Sequence, residues 1–275
     1  MRKYSVLCVL VFSLLVFAGC SDNKTSDVPE TTSAQVTTAP ETVQAESPSE
    51  TDAETLTEED LTEVTQETTA ESSLPRTIPE IVELFNKSAN RIKPEATKVV
   101  KNYEKRIVDE NKLVVPKALE STAKTMIDTF MSDDTEPIVY ATKDEIKTEY
   151  LVPDQSYVSK LKASDVEAAT CTDKGGEYVI NIRLKDETNP TAGSGIGSVC
   201  DVIETAEVAE KASFIQKFST DYYDCEVEVT VDKATGRVIH AKYKTPLLLS
   251  VTVDMFGTHD AALGLTFIKD YTITY

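Results

Sequence analysis

Two histidines, His240 and His259, are the only imidazoles in the chain. His240 falls on the polar side of an alternating stretch, and His259 in the turn-like run Phe256-Gly257-Thr258-His259-Asp260. His259 with Asp254 and Asp260 could in principle hold a metal, but the spacing is not diagnostic. Both histidines read as solvated surface residues, and no metal site is expected. The run Gly193-Ser194-Gly195-Ile196-Gly197 lacks the Gly-Lys-Ser/Thr ending of a phosphate loop and does not match the dinucleotide-binding glycine pattern. Ser194 also lacks the Gly-x-Ser-x-Gly setting of an activated serine. The run reads as a flexible loop after Asn189-Pro190. Carboxylates are plentiful enough to supply a glycosidase-like acid–base pair. Such a site usually sits in a cleft with aromatic platforms, and the chain has no tryptophan. Tyr222 and Tyr223, just before a strand, read as packing residues. The reading is non-catalytic, with no cofactor expected; a hydrolase is the least favoured alternative.

The N-terminus carries a different chemistry. Arg2 and Lys3 precede an uncharged apolar run from Val6 to Phe17, about a dozen residues long, which fits a signal-peptide core. A membrane-spanning helix needs roughly 20 such residues. Phe17-Ala18-Gly19-Cys20 resembles a lipobox, the processing signal of bacterial lipoproteins, with Phe17 where an aliphatic residue is usual. The resemblance implies signal-peptidase recognition through Phe17, Ala18 and Gly19, removal of residues 1–19, and acylation (diacylglyceryl and palmitate-type chains) of Cys20. The expected location is the extracytoplasmic face of a membrane. Cys8 leaves with the signal, so Cys171, Cys200 and Cys225 remain. They allow at most one internal disulfide, and buried free thiols are an equally good reading.

The net charge is −19 and the pI is near 4.5. Nucleic acid is not an expected partner, because binding it requires clustered Lys and Arg. Much of the negative balance lies in residues 21–77, where Asp22, Asp27, Glu30, Glu41, Glu46, Glu50, Glu58, Glu59, Asp60 and Glu67 face only Lys24 and Arg76. That segment is rich in Thr, Ser, Glu, Ala and Pro and has no aromatic residue or glycine. It cannot bury enough apolar surface to offset chain entropy. The lipidated Cys20 and residues through 77 therefore read as a disordered tether with an r.m.s. span of roughly 40 Å.

Residues 78–275 are long enough for one well-cored domain. Thr77 and Glu80 have capping-box spacing, and Ile81, Leu84, Phe85 and Ile92 then share one helix face until Pro94 interrupts it. A second helix is predicted from Pro116 to about Met131, with Leu119, Ala123, Met126, Ile127 and Phe130 at helical spacing. Thr142 and Glu145 cap a short third helix. Asp173-Lys174-Gly175-Gly176 reads as a hairpin turn into a strand bearing Tyr178, Ile180, Ile182 and Leu184. Val202, Ala206, Ala209 and Phe214 suggest a helix. Alternation then predicts strands over 225–231, 239–243, 247–255 and 263–275, with a turn at Asp232–Gly236. The result is an α+β fold: a curved antiparallel meander, half-open and barrel-like, covered on one face by the N-terminal helices.

This order of elements, from the Cys20 anchor through two early amphipathic helices to a late meander, resembles lipoproteins that fold as a half-open β-barrel around an apolar cavity. The periplasmic lipoprotein carriers and mycobacterial lipid-carrier lipoproteins are examples. The resemblance implies non-catalytic binding of a lipid or other apolar ligand between sheet and helices. The residues assigned to that cavity are Leu84, Phe85, Met126, Phe130, Val251 and Val253. The rival expectation is a protein-interaction, inhibitor-like or sensor module with a packed core.

Overall fold

The computed structural model describes residues 74–117, 124, 125, 127, 133–205, 215–254 and 257–275. The signal segment, Cys20 and the tether up to residue 73 lie outside the described residues. So does most of the second predicted helix, although Lys124, Thr125 and Ile127 within it are helical.

The chain enters the fold through helix α1 (Ile78–Ala89), and both halves of its predicted capping box are made. The Thr77 hydroxyl accepts from Glu80 N at 3.4 Å, and the Glu80 carboxylate accepts from Thr77 N at 3.0 Å. The amides of Arg76 and Thr77, both donating to the Glu80 carboxylate, hold its carboxyl below the usual carboxylate range. Ile81 and Phe85 are buried as the periodicity requires, and Leu84 is half-buried. The helix stops earlier than Pro94 predicts. Asn90 caps it and ties the break to the strap at 158–159: its Oδ1 accepts from Val158 N and Ser159 N, and its Nδ2 donates to Ser159 O. A four-residue helix, α2 (Ile92–Glu95), then contains Pro94.

Helix α3 (Lys143–Glu149) carries the second predicted capping box. It is clamped to α2 from both sides. Lys93 Nζ donates to the carbonyls of Lys147, Val152 and Gln155, and Lys143 Nζ to those of Pro94 and Ala96. Burial pushes the Lys93 ammonium down to about 8, while three carbonyl oxygens satisfy its protons. Val152 is a β-branched residue at φ 49°, in the left-handed region that such residues avoid. Bonds at both its ends hold it there, its carbonyl to Lys93 and its N–H to Asp201.

The described residues hold nine strands: β1 (Lys98–Val114), β2 (Ile138–Tyr140), β3 (Val166–Asp173), β4 (Glu177–Leu184), β5 (Glu187–Thr188), β6 (Ile215–Tyr222), β7 (Glu226–Asp232), β8 (Arg237–Asp254) and β9 (Thr258–Thr274). All pairings are antiparallel, in the order β2-β1-β9-β8-β7-β4-β3, with β6 on β8 and β5 on β6. The path has two ends and does not close. The fold is thus the α+β arrangement expected from the sequence, an open curved sheet with α1 packed across β3 and β8.

Three expectations change in detail. Residues 237–254 form one strand, not two. Pro246 interrupts the alternation, but its missing N–H falls where the neighbour of β8 switches from β7, which ends opposite Lys244, to β6, which begins opposite Leu247. The last strand starts at Thr258, so His259 pairs with Val253 in a ladder instead of lying in a turn. Val202, placed in a predicted helix, lies in irregular chain, and residues 215–222, unassigned from sequence, form a strand; Ala206, Ala209 and Phe214 lie outside the described residues. The largest difference is β1, a 17-residue strand with no sequence counterpart. Its alternation is concealed because its inward positions include Lys101, Glu104 and Arg106.

Candidate functional site

The register of β1, β6, β8 and β9 divides the inner face of the sheet into two zones. In the first zone β8 residues 237–244 lie between β7 and β9, and α1 covers the sheet. Val227, Val229, Val231, Val238, Ala241, Ile180 and Ile182 meet Ile81, Phe85 and Ala89 there, all buried. Phe85 is fully inaccessible, with 0% exposure.

The second zone begins where β8 exchanges β7 for β6. Its inward cross-strand rows are Tyr222–Leu247–Leu265–Val108, then Thr220–Leu249–Leu263, then Phe218–Val251–Ala261. Leu247, Leu249, Leu265 and Val253 are buried, whereas Phe218, Val251, Phe267 and Val108 remain partly accessible. The zone is an apolar floor with an accessible strip along it. Burying such a strip under a ligand is favourable by about 25 cal/mol per Å² of apolar surface.

Of the six residues assigned to an apolar cavity from sequence, the structure brings together Val251 and Val253. It places Leu84 and Phe85 in the first zone, about ten residues back along β8 from Val251, or roughly 30 Å at the rise of a strand. Met126 and Phe130 lie outside the described residues, though Ile127 between them packs against the core. Sequence reasoning missed Phe218, Phe267 and Val108. Phe218 lay in a stretch with no clear strand signal, and Val108 in the unrecognised β1.

A partly buried ionic cluster lies on the β1–β9 side of the sheet, level with residues 241–245 of β8. Lys101 donates to Glu104 at 2.8 Å and lies 3.3 Å from Asp134; Arg106 reaches Glu104 at 3.2 Å and Asp134 at 3.0 Å. Lys269, opposite Glu104 in the β1–β9 ladder, donates to Asp201 at 2.6 Å. Burial opposes the charge on Glu104, but Lys269, Lys101 and Arg106 outweigh it and hold its carboxyl at about 2. Lys269 is also held charged: burial works against its ammonium, yet Asp201 and Glu104 keep it well above its usual value. The three cations match the three anions. Every member is held by another, which gives the cluster a structural role.

The face of the sheet opposite α1 is polar. Arg183, Glu226 and Lys244 form one cross-strand row and Asn181, Glu228 and Lys242 the next, lining a shallow groove of about 480 Å³. His240 lies on this face as its alternation predicts, with Nε2 at 3.1 Å from Asp270, whose other oxygen accepts from Asn102 at 2.7 Å. His259 and Asp260 are exposed near the start of β9, and Asp254 at the end of β8. Among the described residues no three His, Cys, Asp or Glu side chains converge on a metal-sized space. In the glycine-rich run the Ile196 amide donates to the Glu187 carboxylate at 2.8 Å, so it is taken by a side chain of the protein itself.

No protein-family model matches the chain, and no match is found among curated proteins or solved structures.

Proposed function

We propose that the chain is a lipid-anchored protein of the extracytoplasmic membrane face, whose domain binds an apolar ligand without chemically altering it. The anchor is Cys20, and residues 21–77 serve as the tether. The observation that carries the ligand reading is the second zone, where Phe218, Val251, Phe267 and Val108 remain partly accessible over the buried floor of Leu247, Leu249 and Leu265. Each buried CH₂ of an acyl chain contributes about 0.8 kcal/mol, so a chain of moderate length binds there without a specific polar contact. Leu84 and Phe85 form no part of this site.

The test is saturable uptake of a fluorescent fatty acid by the unlipidated chain, residues 21–275. Phe218→Asp and Val251→Asp abolish uptake in protein that keeps its folded circular dichroism. Uptake unchanged by both substitutions, or none in the parent chain, contradicts the assignment.

The competing reading is a protein-interaction module, and one observation favours it. The outermost described strand, β2, exposes Ile138 and Val139 at 40% and 52%, and its outer edge pairs with no other described strand, so a partner strand could add there. Loss of a partner on Val139→Lys, with lipid uptake absent, would put that reading first.

A further inference from the structure

Cys171, Cys200 and Cys225 are free thiols in this structure, and its geometry restricts which of them can be joined. Cys171 on β3 stands opposite Ile180, which stands opposite Val229 on β7. Cys225 is four residues from Val229, so two strand spacings and about four strand rises separate it from Cys171, roughly 16 Å. A disulfide needs Cα atoms within about 7 Å, which excludes the Cys171–Cys225 bond.

Cys200 is placed differently. The segment after it is fastened at two points, to β9 and to β6, the neighbours of β8 on either side. Asp201 accepts from Lys269, which faces Tyr243 in the ladder, and Ile203 N donates to the Tyr222 hydroxyl, which faces Leu247. The segment thus runs under β8 between the levels of Tyr243 and Leu247. Cys225 lies at the intermediate level just before β7, two residues ahead of Val227, the partner of Tyr243. Its thiol is directed to the carbonyl of Pro246, 4.0 Å away. Both cysteines are buried, at 2% and 1% exposure.

We propose that Cys200 and Cys225 are a disulfide site that fastens the 199–203 segment to the sheet when the chain folds among oxidised thiols. The oxidant is another disulfide, of a small thiol or of a protein. The thiolate of one cysteine attacks one sulfur of that disulfide, breaks its S–S bond and expels one thiolate. The thiolate of the second cysteine then attacks the resulting mixed disulfide, forms the Cys200–Cys225 bond and expels the other. The two cysteine protons pass to the two departing thiolates, so two thiols are oxidised and one disulfide is reduced.

Timing follows from burial. Desolvation pushes the Cys225 thiol up to about 12, and burial together with the neighbouring Cys225 raises Cys200 well above its usual range. Thiolate, the reacting form, is scarce in the folded protein. The bond therefore forms while the segment is still undocked, and a completed fold resists both oxidation and reduction.

The test uses the full chain, refolded from denaturant either with a reduced–oxidised glutathione mixture or with reduced glutathione alone. Free thiols are then alkylated under denaturing conditions and the peptides mapped by mass spectrometry. The expected result is a Cys200–Cys225 linked peptide, with Cys171 alkylated, in the oxidised sample only. The oxidised protein should melt roughly 5–10 °C higher, as expected for closing a loop of this size. Cys171→Ser leaves linkage and shift intact, whereas Cys200→Ser and Cys225→Ser each remove both. Alkylation of both Cys200 and Cys225 in the oxidised sample, or a linked peptide containing Cys171, overturns the proposal.

Discussion

Lys269 and Asp201 lie 68 positions apart in sequence and meet at 2.6 Å beneath the sheet, where their side chains retain 14% and 12% exposure. The same Asp201 accepts from Val152 N at 3.0 Å. One carboxylate thus joins the last strand, the loop after α3 and the segment that follows Cys200.

Removing one partner of this pair costs more than removing both. Lys269→Met leaves the Asp201 carboxylate buried with its strongest partner gone, and the expected loss is about 3–5 kcal/mol in urea unfolding. Adding Asp201→Asn should recover a large part of that loss. A double variant as unstable as the sum of the two single changes would contradict the coupling.

Glu104 sets an acid limit on stability. Its folded value of about 2 lies below the 4.5 of a free glutamate side chain. A depressed carboxyl contributes stability that is fully present above 4.5 and is lost as pH falls from 4.5 towards 2. The gap corresponds to about 3 kcal/mol. Glu104→Gln should flatten the acid limb of stability against pH measured over that window. An acid limb of unchanged slope would show that other carboxylates dominate it.

Cys20→Ala should release the protein from the membrane fraction or leave it unprocessed, because thioether lipidation requires that thiol and firm anchoring requires more than one acyl chain. Fractionation with mass measurement of the mature N-terminus checks this. A variant that stays membrane-bound and is processed normally would remove the anchor from the account.

Limited proteolysis of the purified chain should yield a resistant core beginning near residues 75–80. The Thr- and Glu-rich segment before it lacks the apolar residues needed to pack. Protection of sites around Glu58–Asp60 in the monomer would contradict the tether.

Much of the fold was readable where local chemistry acts alone. Thr77–Glu80 and Thr142–Glu145 cap helices because a hydroxyl and a carboxylate three residues apart suffice, and Asp232–Gly236 turns because Asp232 accepts from Thr235 N and Gly236 adopts φ 63°. Alternation found β4 and β7 because their inner residues are all apolar. It failed on β1, where Lys101, Glu104 and Arg106 point inward and are matched by Asp134, Lys269 and one another. No window of sequence announces that an inward lysine will meet its carboxylate. The candidate site was half legible for the same reason. Val251 and Val253 follow from alternation within one strand, whereas Phe218 joins them only through the β6–β8 register, and Phe85 is separated from them by the length of β8.

The central claim is that the second zone holds an apolar ligand, and organic extraction of the unlipidated chain purified without detergent tests it most directly. Mass spectrometry of the extract should show acyl lipid near one equivalent per chain from the parent protein and none from folded Val251→Asp. Lipid-free extracts from the parent, together with a second zone closed to solvent around Phe218 and Val251, would contradict it.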